Sequence, residues 1–247
     1  MSALRTDQIV AVVGAGTMGA GIAQIAAAAG HRVLLHDVRT GAAARAIDGI
    51  AGALAKRVAA GKMAETARTE LLARLSPAPG LAELASARLA VEAIVEDVDA
   101  KRGLFRDLEE LVGADAILAS NTSSLSITAI AAGLRRPERV VGMHFFNPVP
   151  VMALVEVVSG QMTAPESAAT VAGTAAAWGK TPVHTRSTPG FIVNRVARPF
   201  YAEALRVLAE GAADPETLDA VMRESGGFRM GPFELMDLIG HDVNFAV

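Results

Sequence analysis

The sequence predicts an α/β fold: a parallel sheet covered by helices on both faces, followed by a smaller all-α domain. Three observations predict it. Short apolar runs alternate with longer helical patterns as far as residue 187. A glycine-rich turn, Gly14-Ala-Gly-Thr-Met-Gly19, joins the first run to the first helical pattern. After Thr188-Pro-Gly190 the strand signals stop and only helical stretches remain.

The elements follow in order. Ile9–Val13 reads as a buried strand and Thr17–Ala29 as an alanine-rich helix. Arg32–His36 is a second strand. Ala42–Ala60 and Ala64–Leu75 form a helical pair joined at Gly61-Lys62, an arm over about 42–75. Ser76-Pro-Ala-Pro-Gly80 reads as a break, because two prolines remove backbone donors. Leu89–Val95 is a strand, Ala100–Val112 a helix, Ala116–Ala119 a strand and Ser126–Leu134 a short helix. Arg139–Phe145 and Met152–Val158 are strands around a reversal at Pro148 and Pro150. A helix near Pro165–Trp178 and a strand near Pro182–Thr185 complete the first domain, residues 1–187. In residues 188–247 the helical stretches are Ile192–Ala209, Pro215–Arg223 and Pro232–Ile239. Asp214 before Pro215 has the pattern of an N-cap with proline at N1.

Composition narrows the function classes. The chain is 51% hydrophobic and 20% charged, which supplies a core and argues against disorder. A net charge of −3 with no Lys/Arg run argues against nucleic acid as a partner. The absence of cysteine removes disulfides, zinc–thiolate sites and thiol nucleophiles, and suits the cytoplasm. No span approaches the ~18 apolar residues of a membrane helix, so no membrane partner is expected. No metal site is read from the sequence.

The glycine turn is G-x-G-x-x-G in the context that gives it meaning, between a strand and a helix. Gly14 permits the tight turn, Gly16 lets a pyrophosphate approach the backbone, and Gly19 allows close helix–strand packing. Thr17 and Met18 open the helix whose N-terminus would receive the phosphates. Asp37 closes the second strand about 20 residues on, where an acid hydrogen-bonds the adenosine ribose and disfavours a 2′-phosphate. The sheet is therefore read as a Rossmann-type dinucleotide-binding sheet, with NAD as cofactor. Arg39, two residues later, is the one feature nearby that accommodates a 2′-phosphate.

The remaining candidates sit near predicted strand ends, which face the ligand crevice of an open α/β sheet. They are Glu96 and Lys101 after Val91-Glu-Ala-Ile-Val95, and the polar run Ser120-Asn-Thr-Ser-Ser124. In Met143-His-Phe-Phe-Asn-Pro-Val-Pro150 the turn brings His144 back beside Glu156, an imidazole oriented by a carboxylate and suited to general-base work. Asn194 lies in Thr188-Pro-Gly-Phe-Ile-Val-Asn-Arg195, at the domain junction. Each of these residues also has a plain structural reading, as a core histidine, a helix cap or a surface charge.

Taken together, GAGTMG with Asp37, EAIVED with Lys101, SNTSS, HFFNPVP, LVEVV and TPGFIVNR resemble the L-3-hydroxyacyl-CoA dehydrogenases, including the 3-hydroxybutyryl-CoA dehydrogenases. The resemblance runs to Met230-Gly-Pro-Phe-Glu-Leu-Met-Asp237. It implies oxidation of a (3S)-3-hydroxyacyl-CoA to the 3-oxoacyl-CoA, or the reverse. His144 is then the general base, Glu156 its partner, Ser123 a ligand of the substrate oxygen, and Asn194 the residue completing the site. The implied NAD contacts are Gly14, Gly16, Thr17, Met18, Gly19, Asp37, Glu96, Lys101, Ser123 and Asn147. The arm would bind the CoA ester, with Lys56 and Lys62 as candidates for its phosphates. Fatty-acid β-oxidation is the implied setting and a homodimer the implied assembly. The sequence departs from the family after Asp242-Val-Asn-Phe-Ala-Val247, where further helices and a glycine- and basic-rich tail are expected. The α-helical domain is accordingly read as incomplete. Two other readings stay open: a dehydrogenase of a free hydroxy acid, as in the crystallin-related gulonate dehydrogenases, and a non-catalytic dinucleotide-binding module.

Overall fold

The computed structural model describes residues 3–241. The motif segment Asp242–Val247 lies outside the described residues. Two compact units divide between Ser187 and Thr188.

The first unit is one eight-stranded sheet in the order β3-β2-β1-β4-β5-β6-β7-β8. Its strands are β1 (Ile9–Val13), β2 (Val33–His36), β3 (Leu75–Ala78), β4 (Ala87–Glu92), β5 (Ile117–Ser120), β6 (Val140–Phe145), β7 (Leu154–Ser159) and β8 (Thr181–Arg186). Strands β1 to β6 pair in parallel, β7 runs antiparallel to β6, and β8 runs parallel to β7. The sheet is thus mixed, where uniform strand–helix alternation predicted a parallel one. The reason is local: the turn containing Pro148 and Pro150 joins β6 to β7 without a crossover helix. The interior strands β1, β4, β5 and β6 are buried on both faces, so they read as continuous apolar runs.

Helices α1 (Thr17–Ala28), α4 (Val98–Leu111), α5 (Ile127–Ala131) and α6 (Pro165–Ala177) connect the strands. The arm is α2 (Ala42–Ala59) and α3 (Glu65–Ala73). It turns Ile50, Leu54 and Leu71 into the same core that holds Ile22, Val33 and Trp178. Two short 3-10 segments, Leu81–Ser86 and Pro137–Arg139, precede β4 and β6.

One predicted break is instead a strand. Leu75-Ser-Pro-Ala78 forms β3 beside β2, with Leu75 and Ala78 buried and Ser76 and Pro77 exposed. Proline is tolerated there because β3 is an edge strand. His36 of β2 reinforces the edge, its Nδ1 lying 2.9 Å from the Ala78 carbonyl.

His31 is buried at the end of α1, edge-on to Trp178 and within 3.2 Å of the Gln8 carbonyl. Burial pushes its imidazole down from the ordinary 6.5, against the smaller opposite pull of the Gln8 carbonyl. The unfolded chain therefore binds a proton more readily than the native chain, and stability falls as pH drops below 6.5 toward the lowered folded value. We expect the urea midpoint to fall on acidification from about pH 7 to about pH 5.5, and to fall less in His31→Phe. Equal falls in the two proteins would remove His31 as a cause.

The second unit holds α7 (Val193–Ala209), α8 (Pro215–Glu224) and α9 (Pro232–Ile239). Asp214 caps α8 by accepting from Thr217 N at 2.8 Å. Asp219, buried in α8, caps α9 from outside by accepting from Phe233 N at 2.8 Å and Glu234 N at 3.1 Å. A Cβ at Gly231 would lie 2.2 Å from Asp219 Oδ1, so the carboxylate approaches this closely only because residue 231 is glycine. Asp219→Ala is expected to destabilise this unit by about 1–2 kcal/mol, the usual cost of a lost cap. The denaturant midpoint at constant slope checks it.

Candidate active site

The glycine turn lies at the end of β1, between β2 and β4. Gly14 has φ of +102°, a conformation other residues rarely adopt. Its N–H donates to the His36 carbonyl at 2.8 Å, and a Cβ there would lie 2.4 Å from the Ala93 oxygen. A Cβ on Gly19 would lie 1.7 Å from the Gly14 carbonyl oxygen. Gly16 differs: a Cβ would meet nothing within 4 Å. It is the N-cap of α1, with no side-chain cap and no acid in the first turn, and Thr17 is exposed while Met18 is half-buried. The first N–H groups of a helix lack intrahelical partners, so this end suits an anion.

A cavity of about 420 Å³ lies against the arm, lined by Leu54, Arg57, Met63, Trp178 and Lys180 among others. A larger one, about 700 Å³, opens beside the glycine turn, lined by Gly14, Gly16, Asp37, Val38 and Ile94 and by one face of α4. Asp37 stands at its edge with its side chain 7% exposed. Its Oδ2 accepts from Ala15 N at 2.8 Å, and its Oδ1 accepts from Arg39 N at 2.9 Å and Arg39 Nε at 3.0 Å. The Arg39 guanidinium, helped by those backbone N–H groups, outweighs partial burial and holds the carboxyl far below the usual range. Asp37 thus carries its charge at the cavity throughout the pH range of a native protein. An open approach at Gly16, an uncapped helix end and a fixed carboxylate at the far side together fit NAD.

Beyond β4 the placement departs from the sequence reading. The strand ends at Glu92, not at Glu96, which lies in the following loop. Glu96 Oε1 accepts from Ser123 N at 2.8 Å, from Ser124 N at 3.2 Å and from the Thr122 hydroxyl. Burial pushes the Glu96 carboxyl up, but the Thr122 hydroxyl, the Lys101 ammonium and the Ser123 N–H together hold it below its ordinary value. Lys101 is 1% exposed, its Nζ 2.5 Å from Glu92 and 3.2 Å from Glu96. Sequence reasoning missed Glu92. The available signal was a carboxylate inside an apolar strand, which folds only with a partner.

Loops after β5 and β6 carry the rest. Asn121 Oδ1 accepts from Phe145 N at 2.9 Å, tying the Ser123 loop to the residue after His144. His144 and Glu156 are directly opposed across the antiparallel β6–β7 pair, alongside the Phe145–Val155 and Met143–Val157 pairs. His144 Nδ1 lies 2.7 Å from Glu156 Oε2, with the side chains 5% and 0% exposed. An ionised Glu156 accepts from Nδ1–H, which makes Nε2 the lone-pair nitrogen of the neutral ring. Phe146 packs on the imidazole at 4.6 Å between ring centres. Asn147, exposed, begins the turn.

The first unit therefore places Gly14, Gly16, Asp37, Glu96, Lys101, Ser123, His144 and Asn147 at or after the carboxyl ends of the parallel strands, with Glu156 opposite His144 on β7. Lys56 and Lys62 lie apart on the arm, both exposed. Asn194 belongs to the second unit, in the first turn of α7. Among the described residues no helix is long and apolar enough to cross a membrane.

Comparisons with known proteins agree across the chain. The family described as "3-hydroxyacyl-CoA dehydrogenase, NAD binding domain" matches residues 9–188, and "3-hydroxyacyl-CoA dehydrogenase, C-terminal domain" matches residues 190–247. The 3-hydroxyadipyl-CoA dehydrogenase of Escherichia coli K12 is 55% identical over 240 residues, 97% of this chain and 50% of that one. This chain thus spans half the length of that relative. The 3-hydroxybutyryl-CoA dehydrogenase of Clostridioides difficile is 44% identical over 96% of this chain and 84% of its own. The crystal structure of (S)-3-hydroxybutyryl-CoA dehydrogenase from Ralstonia eutropha superposes with a TM-score of 0.94 at 39% identity, over 97% of this chain and 85% of that one. The fold, the nucleotide cradle and these matches lead to one conclusion: the chain belongs to the 3-hydroxyacyl-CoA dehydrogenase family.

Proposed function

We propose that the chain oxidises the 3-hydroxyl of a (3S)-3-hydroxyacyl-CoA to the 3-oxo group with NAD, or runs the reverse reduction. The observation that carries this reading is the buried His144–Glu156 pair, 2.7 Å apart, in a sheet of this family. Oxidising a secondary alcohol removes a proton from oxygen and a hydride from carbon. Bound NAD supplies the hydride acceptor. His144 takes the hydroxyl proton at Nε2, while Glu156 holds the tautomer and stabilises the imidazolium that forms. Ser123 orients the reacting oxygen. Gly14, Gly16, Thr17, Met18 and Gly19 seat the pyrophosphate, Asp37 holds the adenosine ribose, and Asn147 with the Glu96 loop borders the nicotinamide end.

The arm receives the CoA moiety. Exposed Lys56 and Lys62 suit its phosphates, and the cavity against the arm supports the assignment, with Arg57 as a third cation at its wall. The named substrates of the relatives bracket the acyl group: hydroxyadipyl in the 55% relative, hydroxybutyryl in the 44% one. A homodimer working in the cytoplasm belongs to the same reading, supported by the family resemblance and the absence of cysteine. Light scattering tests the dimer.

The activity test is NADH oxidation by the purified protein on adding acetoacetyl-CoA or 3-oxoadipyl-CoA, with the free acids in parallel. We expect turnover of the esters and a faster rate with the adipyl chain. Turnover of free acids alone would replace the CoA reading. NADH binding without turnover of any of the four would leave a dinucleotide-binding module.

A further inference from the structure

We propose that Lys180 is a positioning residue: its buried ammonium clamps the turn that joins the His144 strand to the Glu156 strand, and so fixes Asn147 at the nicotinamide end. The inference rests on the reading of Asn147 as a border of that end.

The turn is short of donors of its own. The β6–β7 ladder stops at the Phe145–Val155 pair. Beyond it, Pro148 and Pro150 have no N–H to give. Val151 N and Met152 N both donate to the Pro148 carbonyl, each at 2.9 Å. The carbonyls of Val149 and Met152 find their donor outside the turn. Lys180 Nζ lies 2.5 Å from the first and 2.8 Å from the second. The Val149 bond is buried, and a carbonyl out of reach of water needs such a donor.

Both supports of the turn are rigid. On one side Val149 packs on α1 at Gly21, where a Cβ would lie 2.7 Å from Val149 Cβ. Gly21 follows the cradle residue Gly19 on the same helix. On the other side the Lys180 N–H donates to the Ala175 carbonyl of α6 at 3.0 Å, and Thr181 N donates to the Ala153 carbonyl at 2.8 Å. The lysine stem therefore starts from a fixed point between α6 and the edge strand β8. The turn is wedged between the helix that receives the pyrophosphate and this ammonium.

A buried lysine is a costly clamp. Lys180 is 9% exposed, and burial pushes its ammonium below the ordinary 10.5. Its partners in the turn are neutral carbonyls, so no opposite charge there offsets that cost. What the charge contributes is bond strength, since charged donors bind more strongly than neutral ones. An ammonium also carries three donors on one atom, and two of them span the turn from Val149 to Met152. The grip begins two residues after Asn147.

The test is Lys180→Met in the whole chain, which keeps the stem and removes the ammonium. Four quantities are measured: kcat per NADH-binding site, KM for acetoacetyl-CoA, the urea midpoint, and hydrogen exchange at the Val151 and Met152 amides. Positioning predicts that kcat per site falls by roughly 10–100-fold, the scale of a misplaced reactive group. It predicts a KM within about threefold of the parent, because uniform ester binding is untouched. Exchange at Val151 and Met152 should be faster. Lys180→Gln keeps a neutral donor, should fall between the two, and stands in if the methionine variant does not fold. A lower urea midpoint with kcat per site unchanged would make Lys180 purely structural. A raised KM with kcat unchanged would assign Lys180 to a ligand of the arm cavity, which it also lines. Either result overturns the proposal. Asn147→Ala is measured alongside: full kcat there would overturn the reading of Asn147, while exchange in Lys180→Met still reports on the clamp.

Discussion

Replacing His144 with glutamine is expected to lower kcat by roughly 10²–10⁴-fold, the usual contribution of a positioned general base. Glutamine is the informative choice. It keeps a hydrogen-bonding group opposite Glu156, which is 0% exposed and would otherwise be left as a buried charge without its imidazole partner. NADH affinity should stay near that of the parent, because His144 lies on β6 and the glycine turn follows β1. Glu156→Gln removes the charge but not the shape, so it should lose less than His144→Gln. The two losses should not add, since the carboxylate acts only through the imidazole. Steady-state kinetics with an NADH titration on the single and double variants checks all four statements. Unchanged kcat in His144→Gln would remove the histidine from the reaction.

The second large effect concerns the cofactor. Arg39 is 69% exposed at its side chain, yet its guanidinium is held on Asp37 at 3.0 Å and 3.2 Å. Asp37→Ser takes away both the proposed ribose acceptor and the partner that detains the arginine. A hydrogen bond to a charged group contributes ~1.5–3 kcal/mol, so the Kd for NADH should rise by roughly 10–150-fold. The freed guanidinium lines the same cavity and can accept a 2′-phosphate, so oxidation of NADPH should become measurable. Adding Arg39→Ala to that background should abolish the NADPH activity and leave the weakened NADH activity in place. NADPH turnover that survives the second change would show that Arg39 is not its receptor. Asp37→Ser also deprives Ala15 N of its acceptor, so part of the NADH loss reflects a looser turn.

Much of this architecture was legible in the chain because its signals are local. Val10–Val13 is buried throughout, so the strand is a plain apolar run, and the glycines mark the turn after it. The β6–β7 reversal was legible from two prolines between β-prone flanks. What escaped depends on neighbours that lie far away in sequence. Leu75–Ala78 becomes a strand only because β2 offers it an edge, and its two buried residues are too few to show a period. Glu92 is intelligible only once α4 folds back and delivers Lys101 nine residues later. In the single sequence Glu96 looked like the end of the strand, because Ala93, Ile94 and Val95 continue its apolar run. Those three residues instead line the nucleotide cavity, and Val95 remains 69% exposed.

The antiparallel turn of β7 has a consequence for how the enzyme can be altered. The nucleotide cradle is assembled from distant stretches: β1, the end of β2, and the loop after β4. The His144–Glu156 pair comes from one continuous hairpin, residues 140–159, with a ladder of backbone bonds between its strands. It is therefore a local unit of sequence, although β5 and β8 flank it in the sheet. Changes within the hairpin alter the His144–Glu156 pair without altering the stretches that build the cofactor cradle. The converse is expected as well: substitutions at Asp37 and Arg39 change the cofactor cradle without touching the hairpin.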